Sequence, residues 1–492
     1  MTETAKKKRG MPSSFTILLA LLAIVAVITV IVSGTSGGAV TAARLSDFCT
    51  APILGFADAL PVCLFVMILG GFLGMMTETG ALDNGIAVLV QKLKGNEIML
   101  IPVLMLIFSL GGTTYGMCEE TVPFYALLAA TMMAAGFDPM VGAATVLLGA
   151  GCGCLGSTVN PFAVGAAVDA LTGVDIAVNQ SIVIGLGAVL WIVTTAMSIV
   201  FVMNYAKKVK ADKGSTILSM QELKDAEEAH GKAASEVHKE VKLTGRQKGV
   251  LIAFAFTFVV MIVGFIPLAD LNEGVANFFD AGAVYDADGN AVVQGWSALI
   301  TGLPIGQWYF DEASTWFFLM AVLIGIIGGL SEKQIVNTFI TGAADMMSVV
   351  LVIALARGIS VLMANTGLDV YVLDAAAKAL AGLSGVIFAP MSFLVYFGLS
   401  FLIPSTSGMA TVSMPIMGPL AVKLGFSPEV MVMIFSAAIG VVNLFTPTSG
   451  AIMGGLALAK IEWTTWLKFA LKLIVALSVV CAIILTVACV LI

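Results

Sequence analysis

Two adjacent carboxylates, Glu119 and Glu120, follow Thr113-Thr114-Tyr115-Gly116 inside a stretch apolar enough to enter a bilayer. An acid at that depth is costly and by default marks a substrate or ion pathway. Arg357 is the one base deep in an apolar run. Acids and a base in a dry site can hold a zwitterion, its cation on the carboxylates and its carboxylate on the guanidinium. They can equally pair with one another and serve only the fold. Around them stand three polar groups: Ser157, Thr158 and Asn160; Ser405, Thr406 and Ser407; Asn443, Thr446 and Thr448. Their hydroxyls and amides suit the lining of a site or the capping of half-helices. Asp169 reads as a solvated end or a gate rather than a ligand.

The elements that hold these groups are membrane helices. The 492 residues are 59% hydrophobic and only 11% charged, with a mean hydropathy of +1.04. Soluble domains carry about 25% charged residues. This composition excludes a soluble enzyme, a nucleic-acid module and a disulfide-stapled secreted domain. The seven cysteines, Cys49, Cys63, Cys118, Cys152, Cys154, Cys481 and Cys489, are an odd, scattered set that reads as small hydrophobes. Both histidines, His230 and His238, lie in a polar linker, so the membrane part has none for a metal, a relay or a Ser-His dyad. Gly151-Cys-Gly153-Cys-Leu-Gly156 matches G-x-G-x-x-G but sits in an apolar run, where small residues serve close helix packing. The abundant methionines read as filler rather than as a metal site.

Apolar runs predict nine spans, at 14–34, 54–76, 140–172, 180–204, 248–267, 314–331, 344–364, 428–460 and 465–491. Two further stretches, 97–135 and 385–424, have polar, glycine-rich middles and read as re-entrant hairpins with tips near Thr114 and Thr406. The 1–13 tail holds Lys6, Lys7, Lys8 and Arg9, and residues 205–248 hold ten Lys and Arg. The loop 268–313 has no base but carries Asp270, Glu273, Asp280, Asp286, Asp288, Asp311 and Glu312. The positive-inside rule then places the N-terminus and the 205–247 linker in the cytoplasm and the acidic loop outside. Lys92, Lys94, Lys333, Lys460 and Lys468 fall inside as well, and the C-terminus outside. The linker reads as a partly helical, solvated connector.

The chain repeats itself. Met76-Thr-Glu-Thr-Gly-Ala-Leu-Asp83 resembles Met363-Ala-Asn-Thr-Gly-Leu-Asp369; Thr113-Thr-Tyr-Gly-Met117 resembles Ser405-Thr-Ser-Gly-Met409. Gly136-Phe-Asp-Pro139 matches Gly425-Phe-Ser-Pro428, and Pro161 has its counterpart in Pro447. On the predicted topology the halves 14–204 and 314–492 are inverted copies, joined through the linker and an extra span with its outer loop at 248–313. Inverted repeats with interrupted helices are the pattern of alternating-access transporters. A proline in mid-span frees carbonyls, and half-helix N-termini offer positive dipole ends to a carboxylate.

Four segments carry a family resemblance: Lys8-Arg-Gly-Met-Pro12, Gly112-Thr-Thr-Tyr-Gly-Met-Cys-Glu-Glu-Thr-Val-Pro123, Ala356-Arg-Gly-Ile359 and Pro404-Ser-Thr-Ser-Gly408. Over nearly its full length the chain is similar to the YfcC-type branch of the DcuC family of anaerobic C4-dicarboxylate carriers, in the ion transporter superfamily. The resemblance implies paired inverted repeats, hairpins around a central site and a homodimer. It also implies arginine/ornithine exchange for this branch, and dicarboxylate or short-carboxylate transport for others. Sodium-coupled members carry Ser-Asn-Thr at the hairpin tips, where this chain has Thr113-Thr114-Tyr115 and Ser405-Thr406-Ser407.

The sequence thus predicts an all-α polytopic membrane protein and no enzyme, bound to lipid and a small-molecule substrate, without nucleic acid, metal or other cofactor. Its expected work is alternating-access exchange of cationic amino acids across the cytoplasmic membrane. A proton- or sodium-coupled carrier of C4-dicarboxylates or short-chain carboxylates is the alternative. The expected binding residues are Thr113, Thr114, Tyr115, Gly116, Glu119, Glu120, Ser157, Thr158, Asn160, Arg357, Ser405, Thr406, Ser407, Asn443, Thr446 and Thr448.

Overall fold

Proline, glycine and asparagine punctuate a chain that is otherwise almost continuous helix. The computed structural model describes residues 14–492 apart from 83, 86, 87, 89–95, 237–241, 267, 272, 287–290 and 404. The motif at 8–12, Asp83, Lys92, Lys94, His238, Asp288 and Pro404 therefore lie outside the described residues.

The first half contains α1 (Ser14–Ser33), α2 (Leu45–Asp58), α3 (Leu60–Glu78), α4 (Leu100–Tyr115), α5 (Val122–Ala134), α6 (Pro139–Leu155), α7 (Ala166–Thr172) and α8 (Gln180–Ala211). The linker forms α9 (Met220–Glu236), followed by α10 (Gly245–Phe265). The acidic loop holds two short helical segments and a small antiparallel ribbon, Val284–Tyr285 with Ala291–Val293. The second half contains α11 (Phe310–Gly328), α12 (Glu332–Asp345), α13 (Met347–Thr366), α14 (Leu368–Leu380), α15 (Gly385–Leu402), α16 (Thr406–Lys423), α17 (Pro428–Val442), α18 (Gly450–Leu458) and α19 (Trp463–Leu491).

Eight helical stretches among the described residues are long and apolar enough to cross a membrane. Seven are the unbroken spans expected from the sequence; the eighth, Glu97–Tyr115, is the first arm of the first expected hairpin. The span expected at 54–76 starts later, at Leu60, because Ala59 leaves the helix and Pro61 opens a new one. The preceding helix α2, and the helices α9, α12 and α14, are elements the hydropathy reading did not separate. On α19, Val475, Val479, Ile483 and Val487 are exposed at four-residue spacing. In water such a stripe would drive association; in lipid it is an ordinary solvent face.

At the centre lie α6 and α17, which are buried along nearly their whole length. Each begins with proline after a Gly-Phe-x-Pro turn whose glycine, Gly136 or Gly425, takes a left-handed φ of 87° or 82°. In both halves the order is helix, break, helix, turn, helix, break, helix. A second correspondence is in the packing. Helix α2 lies on α13, and α12 lies on α3. Each contact closes through glycine: Gly55 against Gly358, and Gly342 against Gly70. A Cβ on any of these would strike opposing backbone.

Buried acids fasten the turns. Asp138 accepts from Tyr205 Oη (2.6 Å), Thr216 Oγ1 (2.7 Å) and the Val141 amide (3.1 Å), tying α6 to α8 and the linker. Glu429 accepts from the Asn179 amide (2.7 Å) and from Ser427. The linker is not simply solvated. Glu222 and His230 of α9 are buried: Glu222 accepts from the Glu462 amide (2.9 Å) and His230 Nε2 lies 3.1 Å from the Leu458 carbonyl.

Candidate substrate site

Four helix breaks line one cavity of about 320 Å³, at the lower end of the roughly 300–1,000 Å³ of small-molecule sites. At the first break α4 ends in a left-handed Gly116, and a short turn at Glu119–Thr121 leads into α5. The second follows Leu155. Asn160 Oδ1 accepts from the Phe162 amide, and its Nδ2 donates to Ser157 Oγ, both at 2.9 Å. At the third, Ser405 Oγ accepts from the Gly408 amide (3.1 Å) and starts α16. The fourth runs from Asn443 to Ser449, before α18.

Broken helices leave carbonyls that must find donors where water is scarce. Thr113 Oγ1 donates to the Gly156 carbonyl (2.7 Å), and the Thr158 amide donates to the Thr113 carbonyl (2.9 Å), so the first two breaks are sewn together. In the second half two indoles do this work. Trp463 Nε1 donates to the Phe445 carbonyl (2.7 Å) and Trp466 Nε1 to the Leu444 carbonyl (2.9 Å).

The expected residues divide accordingly. Gly116, Glu119, Asn160, Arg357, Ser405, Thr406, Ser407, Asn443 and Thr448 line the cavity. Thr113 and Thr158 lie behind the wall as ties between the first two breaks, and Ser157 donates to the Cys154 carbonyl within the second. Thr114 Oγ1 donates to the Leu110 carbonyl of its own helix (2.6 Å), Tyr115 stacks on Phe265, and Thr446 holds Thr448 (2.7 Å). Glu120 is 2% exposed, and its carboxylate accepts from the Cys118 amide (2.9 Å). Asp169 is exposed and outside the cavity.

The lining groups that were missed include Asp58, Ser436 and Ser449. Asp58, the last residue of α2, lies 3.0 Å from Arg357 Nε. Its signal was present, since an acid within an apolar run is the same mark that singled out Glu119. Ser436 on α17 lines the cavity with its hydroxyl buried and without a hydrogen-bond partner among the described residues. Ser449 stands at the N-cap of α18. No group of three or more His, Cys, Asp or Glu among the described residues is placed to hold a metal ion. The G-x-G-x-x-G segment packs helix on helix, with Gly153 against Ser109 and Gly112 of α4.

The cavity has two chemical sides. Glu119 supplies a negative group at the start of α5, while α16 and α18 present N-terminal amides flanked only by Ser and Thr. Such N-termini attract anions. Apolar helices around a polar cavity built from helix breaks define a membrane transporter. Within that class, the chain belongs to the DcuC family, described as C4-dicarboxylate anaerobic carriers, whose model matches residues 39–490. It is 28% identical over 445 residues to an uncharacterized protein of Haemophilus influenzae, covering 90% of this chain and 78% of that one. It is 27% identical over 424 residues to YfcC of Escherichia coli K12, provisionally named a basic amino acid antiporter, covering 84% of this chain and 74% of YfcC. The chain also aligns with two solved transporter structures. Neisseria gonorrhoeae MtrF, from a class of antimetabolite efflux pumps, has a TM-score of 0.44 at 17% identity over 98% of this chain and 96% of its own. Alcanivorax borkumensis YdaH has 0.47 at 15% over 96% and 97%.

Proposed function

We propose that this protein exchanges cationic amino acids of the arginine, ornithine and lysine class by alternating access. One observation carries the reading: the charged groups lining the cavity, among the described residues, are Asp58, Glu119 and Arg357, two formal negatives against one positive. A substrate with two cationic groups and one carboxylate fits that balance. Its distal cation meets Glu119, and its carboxylate meets Arg357 and the N-terminal ends of α16 and α18. The provisional name of the Escherichia coli relative points the same way. The matching order of breaks and turns, and the crossed packing of α2 on α13 and α12 on α3, support two inverted repeats rocking about the cavity.

The family's dicarboxylate description favours a second reading. Arg357 and the two N-termini would take the carboxylates, but Asp58 and Glu119 would then repel them. Counterflow into proteoliposomes separates the readings. Vesicles preloaded with ornithine should accelerate labelled arginine uptake, with little dependence on sodium, while succinate and butyrate leave it unchanged. Acceleration by succinate and none by ornithine would replace the first reading with the second.

A further inference from the structure

We infer that Asp58 sets substrate charge selectivity by neutralising Arg357 in the empty cavity, a role that rests on the transport reading above. An arginine facing a low-dielectric cavity needs a counter-charge. Here Asp58 supplies it, Oδ2 to Nε at 3.0 Å, with side-chain exposures of 52% for Asp58 and 26% for Arg357. The pair therefore looks into the cavity through its acid as much as through its base.

The backbone holds this pair in place. Helices α2 and α13 touch where Gly55 meets Ala354 and Gly358, and where Gly358 meets the Ala51 carbonyl. Gly358 is the neighbour of Arg357, and Gly55 lies one turn before Asp58. Ala59 then ends α2, and α3 starts at once, so Asp58 also stands beside the N-terminus of a 19-residue helix. The α3 dipole favours its charge and the C-terminal end of α2 opposes it, so the arginine remains its main counter-charge. Asp345 ends α12 at the corresponding place in the second half, but it is exposed and forms no ion pair among the described residues. The charge device belongs to one half only.

Asp58 lies against Nε, and Nη1 and Nη2 make no hydrogen bond among the described residues. That edge can accept one carboxylate in the bidentate manner of arginine. A substrate with a single carboxylate and a cationic remainder gains this contact and is not repelled elsewhere. A dianion meets an arginine whose charge is already balanced, with Asp58 and Glu119 close by. Asp58 thus acts through Arg357, as a positioning and charge-balancing residue.

The test is competition binding on the purified full chain with labelled arginine, displaced by unlabelled arginine or succinate. Asp58→Asn preserves size and a hydrogen-bond acceptor for Nε while removing the charge. The arginine-to-succinate affinity ratio should shift at least tenfold toward succinate, and Asp58→Glu should keep the ratio near that of the parent. A folded Asp58→Asn protein with an unchanged ratio overturns the inference, since loss of a structural contact alone would weaken both ligands alike. Asp58→Ser, smaller and neutral, answers the same question if the amide variant does not fold. Failure of the transport reading shows separately, as a parent protein that binds no cationic amino acid. In that case labelled succinate binding decides: a tighter Asp58→Asn complex supports the role, and an unchanged one ends it.

Discussion

Glu119 and Glu120 are neighbours in sequence with different physical tasks. Glu119 lines the cavity, whereas Glu120 turns inward and accepts the Cys118 amide beside the left-handed Gly116. Glu119→Gln keeps size and a polar end but removes the charge offered to a substrate cation. Breaking one side of a buried ion pair costs roughly 3–5 kcal/mol, so cationic amino acids should bind a hundredfold or more weaker. Thermal stability in detergent should hardly change. Glu120→Gln should do the reverse, because its amide is a poorer acceptor for a buried N–H. A stability loss of about 1–3 kcal/mol is expected for a buried donor left poorly satisfied, read as a lower unfolding midpoint with binding affinity nearly intact. If both variants bind cationic amino acids with unchanged affinity, the carboxylate-transport reading takes over.

At the scale of elements, the sequence was legible wherever backbone chemistry punctuates it. Pro161, Pro447 and the polar segments at 113–116 and 405–407 mark breaks that the structure brings to one cavity, and the two Gly-Phe-x-Pro turns mark the reversals between them. What could not be read were partners set by tertiary packing. The Asp58–Arg357 pair depends on two helices meeting through Gly55 and Gly358, and neither residue's neighbourhood in sequence shows that crossing. Thr113, Thr158 and Thr446 looked like ligands because a hydroxyl that ties breaks together, or braces a single one, has the same sequence signature as one that lines a site. The linker helix α9 was obscured by its charge, since only its buried groups, Glu222 and His230, show that it docks. Burial holds His230 below the ordinary histidine range, and nearby Lys460 adds to this while the contact with the Leu458 carbonyl opposes it. The docked helix thus favours neutral imidazole, and the undocked one takes up a proton at higher pH. Docking is fully favourable above the ordinary value of about 6.5 and is lost progressively as pH falls through it toward the docked value. Protease cleavage within 220–236 should therefore rise on acidification from pH 7.5 to 5.5, and His230→Gln should flatten that rise.

On the scale of the whole molecule, the charge distribution has to agree with the way two like-ordered halves are threaded through the bilayer. The connector between them, residues 205–248, holds ten bases, and the loop at 268–313 holds none. Only α10 separates them, and its 21 residues, predominantly apolar from Gly249 onward, are long enough for one crossing. On the proposed topology one crossing puts the connector and the acidic loop on opposite faces, and the positive-inside rule assigns the connector to the cytoplasm. The proposed topology also sets the second half in the membrane upside down relative to the first, so that matching breaks approach one cavity from opposite sides. The topology is open to a direct measurement. Single cysteines at Lys224, whose side chain is exposed in the connector, and at Val292, exposed in the loop ribbon, can be placed in a background lacking the seven native thiols. In intact cells a membrane-impermeant maleimide should label position 292 at once, and position 224 only after the membrane is opened. Labelling of both positions from the same side would mean that α10 does not cross, and the inverted arrangement of the halves would fall with it.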